Sequence, residues 1–187
     1  MAHGIGVANA YLVAEPGAAR GLLFDTGAGL AELAAAWPPD IRGIDAVFLT
    51  HMEAEHVGGL EDVLARFGAP AALVPREARA PGGRPAGEGE ILAFGTLTVE
   101  VFSTPGHAAA HNCYLVRKAG PAGGRALLIS GDLVFAGSAG GGYFSPRQLR
   151  EQLRRILGAV PAGTVIAPGH GPLTTVENEL RFNPFVL

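Results

Sequence analysis

The sequence predicts an α/β domain in which mixed sheets carry helices on their outer faces. Three observations point there. Short apolar runs rich in β-branched residues alternate with turn residues. Helical stripes fall after, between and beyond those runs. Several of the runs, such as "DAVFLT", are apolar throughout, as a strand buried on both faces requires. This pattern admits more than one α/β arrangement.

Taken in order, "IGVANAYLVA" and "LLFDTG" flank the turn material "EPGAARG", so Ile5–Ala14 and Leu22–Asp25 read as a hairpin. "GLAELAAAW" reads as a helix stopped by Pro38 and Pro39. Asp45–Thr50 is the doubly buried strand, followed by the polar loop "HMEAEH". Leu60, Val63, Leu64 and Phe67 recur at helical spacing, and Gly68 is placed to end that helix. "AALVP" is a further strand, and "APGGRPAGEGE", Ala80 to Glu90, reads as an exposed loop. "ILAFGTLTVEVFSTPG" forms a hairpin turning at Gly95, and "NCYLVRK" and "RALLIS" form the next pair. Ser145, Pro146 and Gln148 have the spacing of a capping box, ahead of a buried stripe of Leu149, Leu153, Ile156, Leu157 and Val160. "TVIAP" is a late strand and "TTVENELRF" a closing helix. The totals are about nine strands and four helices.

The bulk properties bound the function. A chain of 187 residues, 48% hydrophobic with a mean hydropathy of +0.27, suits one domain over 1–187 with a single sizeable core. A net charge of −3 and a pI near 6.1 give no reason to expect nucleic acid or an anionic membrane as partner. The single cysteine, Cys113, excludes an internal disulfide and a Cys-rich zinc ribbon. With no secretory leader and no long apolar stretch evident, the expected location is the cytoplasm and the expected partner a small-molecule substrate.

Polar residues concentrate at strand ends. "LTHMEAEH", "STPGHAAAH", "ISGD" and "IAPGHGP" each follow an apolar strand and together hold five of the six histidines. Strand ends deliver side chains to one rim of a sheet, so His51, His107, Asp132 and His170 can meet there. Imidazole nitrogen and carboxylate oxygen suit zinc, iron and manganese. His51 and Glu53 lie two apart, so an extended backbone aims both the same way, and Glu55 and His56 can turn to a second ion. Asp25 in "DTG" reads as a carboxylate that braces its loop, and His3 as a terminal residue without a role. His111 reads as an outer hydrogen-bonding partner of the site, with direct ligation as the alternative.

These residues resemble the metallo-β-lactamase fold superfamily, and within it glyoxalase II and its short hydroxyacylglutathione hydrolase-like relatives. "NAYLV" and "LLFDTG" resemble the opening hairpin. "LTHMEAEHVGG", "STPGHAAAHNCYLV", "LLISGDLVFAGSAG" and "IAPGHGPLTTVENELRFNPFV" resemble the successive metal-bearing segments. The resemblance implies an αββα sandwich with one or two divalent metal ions at one edge, zinc first, with iron or manganese as alternatives. It departs where the family reads His-x-His-x-Asp-His and this chain reads His51, Glu53, Glu55, His56. Carried over by position, the first metal takes His51, Glu53, His107 and Asp132, and the second Glu55, His56, Asp132 and His170. The resemblance implies a hydrolase of a small thioester, lactone or related ester-like bond using a metal-bound hydroxide, with Asp132 bridging and Glu55 handling a proton. A non-heme iron oxidoreductase with one or two irons, or a catalytically weak binding member, are the alternatives. The basic residue expected near Gly141, Gly142 and Tyr143 for glutathione is absent.

Overall fold

The computed structural model describes residues 7–27, 37–68, 72–80, 82–118 and 126–186. The predicted helix "GLAELAAAW" falls almost wholly outside them, as does His3. Two sheets form the centre. The first has the order β1 (Tyr11–Val13), β2 (Arg20–Phe24), β3 (Gly43–Phe48), β4 (Leu73–Pro75) and β5 (Arg84–Ala86). The second comprises β6 (Ile91–Phe94), β7 (Leu97–Ser103), β8 (Asn112–Lys118), β9 (Leu127–Gly131), β12 (Val165–Pro168) and β13 (Thr174–Thr175), running β13-β12-β9-β8-β7-β6. A ribbon of β10 (Val134–Phe135) and β11 (Ser138–Ala139) follows Asp132. The helices are α1 (Ala54–Val57), α2 (Leu60–Phe67), α3 (Pro146–Ala159) and α4 (Val176–Phe182).

Apolar runs without alternation place both strand faces against other layers. Leu22, Phe24, Ala46 and Phe48 of the first sheet meet Val99, Val101, Tyr114, Val116 and Ile129 of the second in the central core. The intervening residues face outward. Leu23, Val47 and Leu49 pack on Leu60 and Val63 of α2. Cys113, Leu115 and Leu128 pack on Leu149, Leu153, Ile156 and Leu157 of α3. Four layers, αββα, result. Phe24 stacks on Phe48 with ring centroids 4.9 Å apart, fixing the β2–β3 register at the end nearest the histidine segments.

The expected hairpins, α2, α3 and its buried stripe all form. Ser145 caps α3 through Gln148 N–H, but the reciprocal half of the capping box does not form, since Gln148 Oε1 is without a partner. Two expectations are corrected. The Ala80–Glu90 patch is not all loop, because Arg84–Ala86 adds a parallel edge strand to β4 and buries Ala86 completely. Edge placement tolerates the missing N–H of Pro85. The loop after His51 is not all loop either, because α1 begins at Ala54.

Several hydrogen bonds close the sandwich at its functional edge, Tyr11 Oη to Pro168 O and Asn112 Nδ2 to Ala86 O among them. Tyr114 Oη donates to Leu49 O at 2.6 Å, and Thr50 O accepts from Asn112 N–H at 2.8 Å. Glu179, buried in α4, accepts from Gly137 N–H, Thr174 Oγ1 and Asn183 Nδ2, and so pins the closing helix to the β10–β11 ribbon. No helix among the described residues is long and apolar enough to cross a membrane.

Tyr114→Phe removes one of these inter-sheet links and leaves Leu49 O with a buried lone pair unmatched. It is expected to cost about 1–3 kcal/mol in urea unfolding with an unchanged denaturant slope. Burial pushes the Cys113 thiol up to about 12, so a thiol-exchange reagent is expected to react only as the protein unfolds.

Candidate metal centre

Five segments converge where the strands of both sheets end. His51 follows β3, His56 lies in α1, His107 lies in the β7–β8 loop, Asp132 follows β9, and His170 follows β12. Donor atoms of His51, His107 and Asp132 all lie within 4.8 Å of one another, and so do those of His56, Asp132 and His170. Asp132 belongs to both groups. Its Oδ2 stands 3.7 Å from His107 Nε2 and 3.4 Å from His170 Nε2, and its Oδ1 stands 3.5 Å from His56 Nε2.

The outer nitrogen of each of these four imidazoles is already engaged. His56 Nδ1 bonds Asp25 Oδ2 at 2.9 Å, His107 Nδ1 bonds Gly141 O at 2.9 Å, and His170 Nδ1 bonds Val7 O at 3.0 Å. A carbonyl only accepts, so Nδ1 carries the proton in His107 and His170. His51 Nδ1 bonds Thr50 Oγ1 at 3.0 Å, while that hydroxyl donates to Asp25 Oδ2 at 2.8 Å. His51 therefore also donates through Nδ1. In the neutral ring each Nε2 keeps its lone pair and faces the donor group it shares with Asp132, the arrangement that metal-binding histidines adopt.

Among the described residues, His51 Nε2, His56 Nε2, His107 Nε2 and Asp132 Oδ1 are buried without hydrogen-bond partners. Burying such atoms unpaired is costly. Two donors at about 2.05 Å from a common tetrahedral centre stand about 3.3 Å apart. The observed separations of 3.4–3.7 Å match a set of ligands around a cation, and the nitrogen and carboxylate donor set fits zinc, iron or manganese. Gly169 sets the same limit sterically, since a Cβ there would sit 2.1 Å from Asp132 Oδ1 and 2.8 Å from His56 Cε1.

The two glutamates behave differently. Glu53 extends from the residue before α1, its Oε1 3.0 Å from His107 Nε2 and its Oε2 3.9 Å from His51 Nε2. Glu55 is in neither donor group. One helical residue turns about 100°, so with His56 directed inward its neighbour is rotated away. Glu55 acts on His56 through charge. Burial works to lower the His56 pKa, but the bond to Asp25 and the charges of Asp25, Asp132 and Glu55 leave it raised. A cation must displace that proton, so binding is expected to strengthen as the pH rises through the His56 pKa.

Sequence reasoning underestimated the supporting residues. Asp25 holds a left-handed backbone, φ 53°, while its carboxylate accepts from Thr50 N–H, Thr50 Oγ1 and the His56 ring. Thr26 and Gly27 N–H donate to His56 O. The "DTG" turn thus fixes His56 from both ends. His111 is an outer partner and not a ligand in this geometry. Its Nε2 accepts from Asp132 N–H at 3.1 Å, so Nδ1 carries the proton and bonds Thr104 Oγ1 at 2.7 Å. Burial, with the His51, His107 and His56 imidazoles, pushes its pKa well below the ordinary value and keeps it neutral. Gly131, at φ 48°, brings this assembly close, since a Cβ there would meet Thr50 Cβ at 2.7 Å and His111 Nε2 at 2.8 Å.

In metal titrations, Asp132→Asn is expected to lose binding at both groups. Asp25→Asn is expected to weaken the His56 group about 10–100-fold while retaining the native circular dichroism spectrum.

Comparison with known proteins agrees with this geometry. A sequence model described as the metallo-beta-lactamase superfamily matches residues 3–170. The hydroxyacylglutathione hydrolase of Aeromonas salmonicida is 31% identical over 165 residues, covering 87% of this chain and 57% of that protein. The chain spans about half the length of the curated hydrolases of this kind that it matches. The crystal structure of ETHE1 from Myxococcus xanthus has a TM-score of 0.81 at 22% identity, covering 97% of this chain and 80% of that one, and shares the fold. TTHA1623, solved in a di-iron-bound form, has a TM-score of 0.73 at 28% identity, covering 95% of this chain and 94% of that one. The match over most of the chain, the four-layer architecture and the histidine–aspartate cluster at its edge place this chain in the metallo-β-lactamase superfamily, as a glyoxalase II-like member.

Proposed function

We propose that this chain is a metal-dependent hydrolase of a small thioester, lactone or related ester-like substrate. The observation that carries this reading is the sharing of one buried carboxylate, Asp132, between two donor groups whose histidines all present Nε2. In this reading His51, Glu53, His107 and Asp132 hold one divalent ion, and His56, Asp132 and His170 hold a second. Such ions supply an acidified water for attack at neutral pH and a Lewis acid for the carbonyl oxygen.

The chain's own residues fix what those ions can do. Asp132 sets the separation of the two groups, because its Oδ1 serves His56 while its Oδ2 lies between His107 and His170. His111 holds Asp132 in place through the Asp132 backbone N–H and, being neutral, adds no charge. Glu53 adds a negative charge to the first group. That charge favours harder ions there and weakens Lewis acidity relative to an imidazole. Glu55 stays outside both groups and contributes its charge near His56.

A second reading, a non-heme iron oxidoreductase, is favoured by Glu53 alone. Its contact with His107 gives the first group two histidines and two carboxylates, a set suited to iron, and the relative at 28% identity was solved with two irons.

Native metal content, thioester and lactone hydrolysis, and oxygen uptake distinguish the readings. Zinc or manganese with hydrolysis and no oxygen uptake is expected. Iron with substrate-dependent oxygen uptake and no hydrolysis would replace the first reading by the second. Glu53→His is expected to raise zinc affinity about tenfold and to raise the hydrolytic rate, imidazole being the better zinc donor. Unchanged zinc binding would remove Glu53 from the ligand set.

A further inference from the structure

An aromatic ring stands beside each donor group. The Tyr143 ring lies 5.4 Å from the His107 imidazole, and the Phe135 ring lies 5.6 Å from that of His170. Tyr143 is 82% exposed yet set in place. His107 Nδ1 donates to Gly141 O, Phe144 N–H donates to His107 O, and the ring lies over Gly141. A Cβ at Gly141 would come within 2.6–2.9 Å of three ring atoms, so any side chain there would displace the ring. A large, mostly exposed ring held against a candidate ligand is a surface suited to contact another molecule.

The charge around these rings is one-sided. Residues 51–59, 104–111, 131–146 and 168–174 deliver every donor and both rings. They contain no lysine or arginine, and they bring Glu53, Glu55 and Asp132. Arg147, just beyond Tyr143 at the start of α3, bonds Glu151 at 2.8 Å along the exposed face of that helix. An anionic carrier such as glutathione, whose carboxylates need cationic partners, finds none in these segments. An apolar group finds the exposed ring of Tyr143 and, on the His170 side, the half-buried ring of Phe135.

We propose that the part of the substrate remote from the reacting bond is uncharged and apolar, an aryl or alkyl group seated on Tyr143 and Phe135, and that glutathione conjugates are not the substrates. The inference rests on the hydrolase reading but is tested separately from it. Two thiols serve as probes of the zinc-loaded full chain by calorimetry: benzyl mercaptan, apolar and uncharged, and glutathione. Benzyl mercaptan is expected to bind at least about tenfold more tightly. Tyr143→Ala and Phe135→Ala are each expected to weaken it about three- to tenfold with zinc stoichiometry unchanged. Glutathione binding equally well or better, neither thiol binding, or both variants binding benzyl mercaptan as the parent does would overturn the proposal.

The same comparison is made with an S-benzyl thioester and a glutathione thioester. The expected result is a higher kcat/KM for the benzyl compound, with Tyr143→Ala raising KM and leaving kcat nearly unchanged. Turnover of neither thioester alongside the calorimetric preference would sink the hydrolase reading and support the apolar surface. Turnover that favours the glutathione compound would do the reverse.

Discussion

Four atoms govern this structure: three imidazole nitrogens and one carboxylate oxygen, buried together and, among the described residues, without a hydrogen bond. In a folded chain such atoms normally find hydrogen-bond partners, because each one left unpaired costs free energy. Here the nitrogens are held lone pair first, their other ring atoms tied to Asp25, Thr50 and Gly141 O. The chain spends several polar groups on keeping them unpaired. Two cations, one in each donor group, resolve that cost. The two sheets matter to function mainly because their strand ends bring the four atoms to one place.

The precision of the cluster comes from residues that do not belong to it. Asp25 adopts a left-handed backbone that few residues tolerate and braces both Thr50 and His56 from there. His111 links the loop after β7 to the backbone of Asp132, whose N–H fixes its tautomer, and Thr104 Oγ1 takes its Nδ1 proton. Gly131 and Gly169 leave the space that any side chain would fill. Disturbing these positions changes metal affinity without touching a ligand.

Much of this was legible in the sequence, for physical reasons that can be named. β3, β8 and β9 announce themselves because each carries a central apolar run without alternation, as strands covered on both faces require. α3 announces itself through its cap and stripe. The histidine segments are legible because each follows such a strand. β5 was hidden, since Arg84–Ala86 offers no apolar run and is held by parallel pairing to β4. Glu55, expected in the second group, stands outside both donor groups for a local reason. A loop lets neighbouring side chains turn freely, but the single helical turn of α1 commits His56 inward and rotates Glu55 away. Tyr143 and Phe135 gain meaning only once their rings are placed beside His107 and His170.

Glu53 stands where the resemblance implies a histidine, and its contact with His107 places an added negative charge beside the first donor group. With it, the two donor groups differ in charge. X-ray absorption at the edge of the bound metal tests the central claim most directly. The account predicts imidazole scattering with a nitrogen shell at about 2.0–2.1 Å and a second metal at about 3.5–4 Å. A shell of oxygen atoms alone, with no imidazole pattern, would contradict it.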